Sequence, residues 1–378
     1  MRSTAVALVV VLAVSTAVTS LQAQPPARVS LESDLAGRQP TADVVANMRE
    51  RISYWLDVMA KADNDQAVIK AREGLRDDYA YFDGRSAGYN FAEQMAALSL
   101  PLLKGGLEND PLRLLKETNI AMAVAQMPQV TITPALEAMV DCKTNAAVRY
   151  FAWQGFRDAR TNILAQGRSP SELTYNKLQE AIADETSLPV MEVMFRMLEL
   201  DSRQPEAVLG DFWQYAQTRS FEILKLTWPR WCELTRNTGG ETLAVSRRAL
   251  FALHRSADWI GVNPEPRKQM LQMIIDLTWA AATLHQEARS KGTESESSAM
   301  LLRDCEEALN FIEGATPRKT YIDRVLRDGK SQPEAIMWGI DKDGNRLGVL
   351  AWVEDLKAAG VVKPQDASTP TTAPAAQE

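Results

Sequence analysis

Ala138-Met139-Val140-Asp141, a short polar turn, and Ala147-Val148-Arg149-Tyr150-Phe151-Ala152 are matched further along the chain by Ala181-Ile182-Ala183-Asp184, a second turn, and Pro189-Val190-Met191-Glu192-Val193-Met194. The offset is 43 residues ahead of the turn and 42 behind it. An interval of about 40–47 residues is the length of a unit built from two helices, which cannot bury its apolar face alone and must stack on its neighbours. The two copies therefore predict a helix pair that repeats.

The residues that carry this pattern are Asp141 at the end of a first helix, Val148-Arg149 at the start of a second, and Ala152 one turn on. In these positions the chain resembles the HEAT-repeat family, over Pro134 to Leu200; the second copy has Met191 where the Arg stands. The resemblance implies that Asp141 and Arg149 bond between stacked repeats. It also implies an all-α fold, an α-solenoid of antiparallel helix hairpins, with an irregular helical bundle as the alternative.

Outward from the repeat, helical signals follow one another from Thr41 to Gly314. Asp110, Thr133, Ser169 and Asn263 each precede a proline, an arrangement that puts a capping oxygen ahead of a residue whose missing N–H costs nothing in the first turn. Apolar residues recur at three and four positions through Val148, Ala152, Gly155, Phe156, Ala159 and Ile163. The same spacing runs through Leu243, Leu250, Leu253, Ala257 and Ile260, through Met270, Met273, Leu277, Ala281, Leu284 and Ala288, and through Leu301, Cys305, Leu309 and Ile312. Each series predicts one buried face of an amphipathic helix. Pro229, between Trp228 and Trp231, is expected to end or kink its helix.

The flanks read differently. Arg2, the apolar run Ala5 to Val14 and the small residues up to Ala23 have the layout of an export signal over 1–23, with cleavage after Ser20 or Ala23. Gln24 to Pro40, with Pro25, Pro26 and Pro40, reads as a linker, and the helical-repeat domain as 41–314. An extension over 315–362 holds Ile336-Met337-Trp338-Gly339-Ile340 and Leu347-Gly348-Val349-Leu350 around Asp343-Gly344, the pattern of a small β-hairpin, then a last helix from Ala351 to Ala359. The Thr-, Pro- and Ala-rich residues 363–378 read as a disordered tail.

The 378 residues carry a formal net charge of -7, which leaves no broad footprint for a phosphate backbone and argues against nucleic acid as a partner. Only three cysteines, Cys142, Cys232 and Cys305, are present, too widely spaced for a disulfide framework or a Cys-x-x-Cys metal site. They read as small apolar residues packed in helices. Asp341, Asp343 and Asn345 offer oxygens, but aligning Gly344 with the glycine of a calcium loop leaves Gly339 and Leu350 where ligands belong. His254 and His285 each follow an inward-facing Leu and read as partly exposed side chains at a face boundary. Asp77-Asp78 and Glu306-Glu307 are adjacent carboxylates that read as solvated helix faces. Five tryptophans, Trp213, Trp228, Trp231, Trp259 and Trp279, fall between Asp211 and Ala280. They either fill the core or form a sugar-stacking platform, and the core is preferred.

No residue is assigned a catalytic, cofactor or metal role, because no nucleophile elbow, dinucleotide fingerprint or phosphate loop occurs. The expectation is an exported, non-catalytic helical-repeat protein, periplasmic or secreted. Its expected role is as a scaffold for a protein or peptide partner in the cell envelope, with solvated arginines such as Arg157 and Arg160 on the binding surface. The alternatives are a glycan- or peptidoglycan-binding module using the Trp-rich region, and an enzyme whose site carries no familiar motif.

Overall fold

The computed structural model describes residues 24–30, 39–84, 87–199, 211–237, 242–260, 264–293, 295–313, 320–329 and 332–338. Among these the protein is all-helical, with fourteen α-helices and no strand. In chain order they are α1 (Ala42–Lys61), α2 (Asp65–Asp83), α3 (Gly88–Pro101), α4 (Arg113–Ala125), α5 (Thr133–Val140), α6 (Ala146–Ala165), α7 (Arg168–Asp184) and α8 (Leu188–Leu198). Then come α9 (Asp211–Asn237), α10 (Leu243–Ile260), α11 (Pro264–Ser290), α12 (Glu296–Glu313), α13 (Ile322–Arg327) and α14 (Pro333–Trp338).

Each even-numbered helix from α2 to α10 packs on the next even-numbered one, so that α4, α6, α8, α10 and α12 follow side by side. Among the odd-numbered helices α1 packs on α3 and α3 on α5, and α7, α9 and α11 follow one another in the same way. The pairs α1–α2, α5–α6, α9–α10 and α11–α12 join the two sets. The periodic series of the sequence supply this packing: Val148, Ala152, Phe156, Ala159 and Ile163 are buried on α6, and Met270, Met273, Leu277, Ala281 and Leu284 on α11. Each large apolar side chain contributes roughly 1.5–3 kcal/mol on burial, which makes these faces the main source of cohesion.

Gly155 is required where it stands. A Cβ there would lie 2.6 Å from a methyl of Leu136 and 3.2 Å from the Cα of Ala125, so its absence lets α6 close on α4 and α5 together. Between the helix pairs, Arg149 of α6 donates from Nε and Nη2 to Glu185 at 2.8 and 2.9 Å, and Lys177 donates to Asp141 at 2.6 Å. Both Asp141 and Arg149 thus reach the following helix pair, each through its own partner.

Several expectations are corrected. Pro264 opens α11 as the capping pattern predicts, but α4 begins at Arg113, α5 at Thr133 and α7 at Arg168, one or two residues away from the expected starts. Asp110 accepts from the backbone of Leu112 at 2.7 Å in a turn ahead of α4, and the Thr133 hydroxyl donates back to the Val130 carbonyl. The side chains that cap helices are instead those of Thr41, Asn64 and Asn145. Pro229 does not end its helix: α9 runs eight residues past it. Pro229 and Lys225, whose carbonyl loses its donor, are both exposed, while Trp228 and Trp231 are buried on either side. The missing bond therefore falls on the solvent side of the helix, where water is available to a carbonyl, while core packing holds the two halves together.

Within the expected linker over 24–40, residues 26–29 are bonded to α1 and α2, largely through backbone atoms that composition does not reveal, and 31–38 lie outside the described residues. Ile336, Met337 and Trp338, expected in the first arm of a hairpin, lie in α14, where Ile336 and Met337 are buried and the helix packs on α11. The expected export signal, the Asp341–Asn345 turn, the second arm of the hairpin, the last helix and the tail lie outside the described residues. No described helix is long and apolar enough to cross a membrane.

Candidate functional site

On the side of the stack where α8, α10 and α12 follow one another there is a cavity of about 490 Å³. The inward stripe of α10, with Leu250 and Leu253, leaves Arg247, Arg248, Phe251, His254 and Arg255 on the adjoining faces. The inward stripe of α12, through Leu301, Cys305 and Leu309, likewise leaves Asp304 and Glu307 lining the opening, with Phe311 one turn further on against His254. Phe251 and Phe311 remain 40% and 39% exposed, and they are paired around one histidine rather than scattered singly.

The cavity is an aromatic cluster edged by guanidinium groups. The His254 ring stands edge-on to Phe311 with centroids 4.1 Å apart and tilts toward Phe251 at 6.5 Å. The guanidinium groups of Arg248 and Arg255 lie 5.7 and 5.1 Å from the Phe251 ring centre, within cation–π range. Arg248 also holds Glu199 at 3.0 Å, Arg247 pairs with Asp304, and Glu192 is engaged by Arg196. Such a surface provides stacking, apolar contact and charge-assisted hydrogen bonds, the chemistry that anchors polypeptide segments.

The residues singled out from sequence are dispersed. Trp213, Trp228 and Trp231 are buried, Trp228 donating to the Met273 carbonyl at 2.6 Å, and Trp279 is half-buried. The side chain of Trp259 lies outside the described residues. Cys232 and Cys305 are buried and Cys142 half-buried, all as free thiols. Burial pushes the Cys305 thiol up to about 12. Among the described residues no three His, Cys, Asp or Glu side chains converge to hold a metal.

Four readings of exposure are overturned. His285 is 2% exposed and bonds Ser298 Oγ through Nδ1 at 3.0 Å. Arg160 is buried and donates to the carbonyls of Met197 and Glu199, closing the end of α8; Arg157 remains at the surface with Asp158. Asp78 is fully buried while Asp77 is exposed. Glu306 is buried, and its Oε1 accepts from the backbone N–H groups of Tyr321 at 2.5 Å and Ile322 at 3.0 Å, fixing the start of α13. In each case the helix face was right to within one step of about 100°, and a distant element then covered it.

Burial raises the Glu306 carboxyl to about 7, against the pull of the two N–H donors. Burial likewise raises Asp276 to about 6. For an acid raised on folding, the native state holds the extra proton, so this contribution is fully present below the unfolded value of about 4.5 and is lost as pH rises through 7. Both bonds at Glu306 go to one oxygen, so the other carries the proton without breaking them. His285, lowered by burial, acts in the opposite sense: its contribution is present above its ordinary value and is lost as pH falls. The difference between wild type and Glu306→Gln isolates the carboxyl. Gln keeps an acceptor for both N–H groups, so the variant should gain on wild type from pH 5 to pH 8 by roughly 3 kcal/mol, because each tenfold change in proton affinity is worth about 1.4 kcal/mol. Urea midpoints measured at each pH check this, and parallel curves would remove the buried-acid account.

Phe251 and Phe311 carried a signal that helix periodicity alone passes over. Phe251 follows the buried Leu250 directly, so an aromatic ring stands a full step off the stripe. No protein-family model, curated protein or solved structure matches the chain.

Proposed function

We propose that the protein is an exported, non-catalytic scaffold built as a HEAT-like stack of helix hairpins, and that it captures a protein or peptide partner in the cell envelope at the groove across α8, α10 and α12. The observation that carries this reading is the pair of exposed rings, Phe251 and Phe311, set around His254 and flanked by Arg248 and Arg255. The side-by-side succession of the even-numbered helices supports the repeat reading, since stacked pairs leave one helix of each pair along a shared surface. Among the described tryptophans none is exposed enough to offer a sugar a flat platform, so the peptide reading is preferred over the glycan one.

Binding energy on such surfaces concentrates in a few aromatic and arginine anchors, each worth about 2 kcal/mol or more. The double substitution Phe251→Ala and Phe311→Ala should therefore weaken capture of envelope proteins from extract at least about tenfold. Because both rings are partly in water, the melting temperature should stay within a few degrees. Unchanged capture would remove the groove from the proposal. His254→Ala abolishing a measurable turnover would replace the scaffold with an enzyme.

A further inference from the structure

At the other end of the chain, residues 26–29 are bound by α1 and α2 almost entirely through their backbone. Asn47 donates from Nδ2 to the Ala27 carbonyl at 2.9 Å and accepts from the Val29 N–H at 3.2 Å, pairing with the segment as a neighbouring strand would. The Tyr81 hydroxyl donates to the Val29 carbonyl at 3.0 Å, and Arg51 Nη1 donates to the Pro26 carbonyl. Two side chains are engaged as well. Val29 packs partly buried against the core, and Arg28 donates from Nε to Asp78 Oδ1 at 2.9 Å with its guanidinium 4.9 Å from the Tyr81 ring centre. The remainder of the segment faces water: Gln24, Ala27 and Ser30 are exposed.

The floor of the cleft is tied together by bonds of its own that do not involve this segment. Asp78 is fully buried, and Arg51 donates to it from Nε and Nη2 at 3.0 and 2.7 Å while Trp55 Nε1 donates at 2.8 Å. Trp55 reaches Asp78 by lying over Gly74, one turn earlier on α2, where a Cβ would come within 2.3 Å of the indole. Buried charge, buried counter-charge and indole donor therefore satisfy one another with Arg28 absent. A receptor already formed when empty avoids most of the ordering cost of binding.

We propose that the cleft formed by Asn47, Arg51, Asp78 and Tyr81 is a receptor for an extended peptide segment carrying arginine, and that residues 26–29 fill it as a tethered, displaceable stand-in. The class of ligand follows from the contacts. Four backbone groups are read without regard to sequence, one cation is read by a carboxylate and an aromatic face, and one small apolar side chain follows it. A partner segment of the pattern Pro-x-Arg-Val, presented in extended form, meets every contact. The site is separate from the groove proposed above and does not rest on that reading.

The test uses the full-length chain and a fluorescein-labelled heptapeptide, Gln-Pro-Pro-Ala-Arg-Val-Ser, with an alanine-for-arginine peptide as control. Arg28→Ala weakens the tethered competitor, whose effective concentration is in the millimolar range, so this variant should bind the arginine peptide at least about tenfold more tightly than wild type. The control peptide should bind neither protein, and adding Asn47→Ala to the Arg28→Ala variant should abolish binding. Equal binding of both peptides, or equal binding by wild type and Arg28→Ala, overturns the proposal, as does no binding to a folded Arg28→Ala variant. Wild type gives an independent reading: millimolar unlabelled peptide should raise deuterium uptake across residues 24–30, and unchanged uptake overturns the displaceable stand-in.

Discussion

Replacing Asp78 by Ala should destabilise the protein by about 3–5 kcal/mol, the cost of leaving a buried partner charge uncompensated. Asp78 is the sole carboxylate bonded to Arg51 among the described residues, and Arg51 is itself only 5% exposed. With the carboxylate gone, the guanidinium keeps the Pro26 carbonyl but no counter-charge among the described residues, Trp55 loses its acceptor and Arg28 loses its anchor. Urea midpoints measure the effect, and Asp78→Asn, which keeps an acceptor but no charge, should fall between wild type and Ala. A change under about 1 kcal/mol for the Ala variant, well below the cost of an unpaired buried charge, would mean that water reaches Arg51 and that the cleft is not the dry, preformed structure described above.

The second large effect is expected at Trp231, where truncation to Ala should cost about 3–5 kcal/mol through lost transfer energy and the cavity left behind. The ring is 1% exposed and meets Phe195 of α8 edge-on with centroids 4.7 Å apart, so it joins α9 to its neighbour two residues after Pro229. Together with Trp228 it carries the helix across the position where a backbone bond is missing. The measurement is the unfolding midpoint with binding to soluble peptidoglycan fragments followed alongside. A normal midpoint with lost glycan binding would reverse the assignment of this ring from core to platform.

How far the sequence alone reached can be judged from particular residues. The stripes on α6 and α11 were legible because burial on one face of a helix repeats every three to four residues, a signal contained within the segment. The Ala138–Ala152 copy and its partner located a helix pair for the same reason. Helix starts were displaced by one or two residues; at α5 and α7 a turn of 3-10 helix over Val130–Ile132 or the positive-φ Gly167 begins the winding before the proline is reached.

Local spacing is therefore enough for the class of structure, namely helices and their inward faces. The tertiary structure alone decided which polar residues went inside. Asp78 is matched by Arg51, 27 positions earlier, Glu306 by the backbone 15 and 16 positions later, and Arg160 by carbonyls 37 and 39 positions on. A charge is tolerated in a core only when partners converge on it, and convergence is a property of how helices pack rather than of any local spacing. The same holds for Phe251 and Phe311, which are 60 residues apart in sequence and flank one His254 ring because α10 and α12 lie side by side. It holds too for residues 26–29, whose composition reads as a linker and whose backbone is gripped by side chains that only the pairing of α1 with α2 brings together.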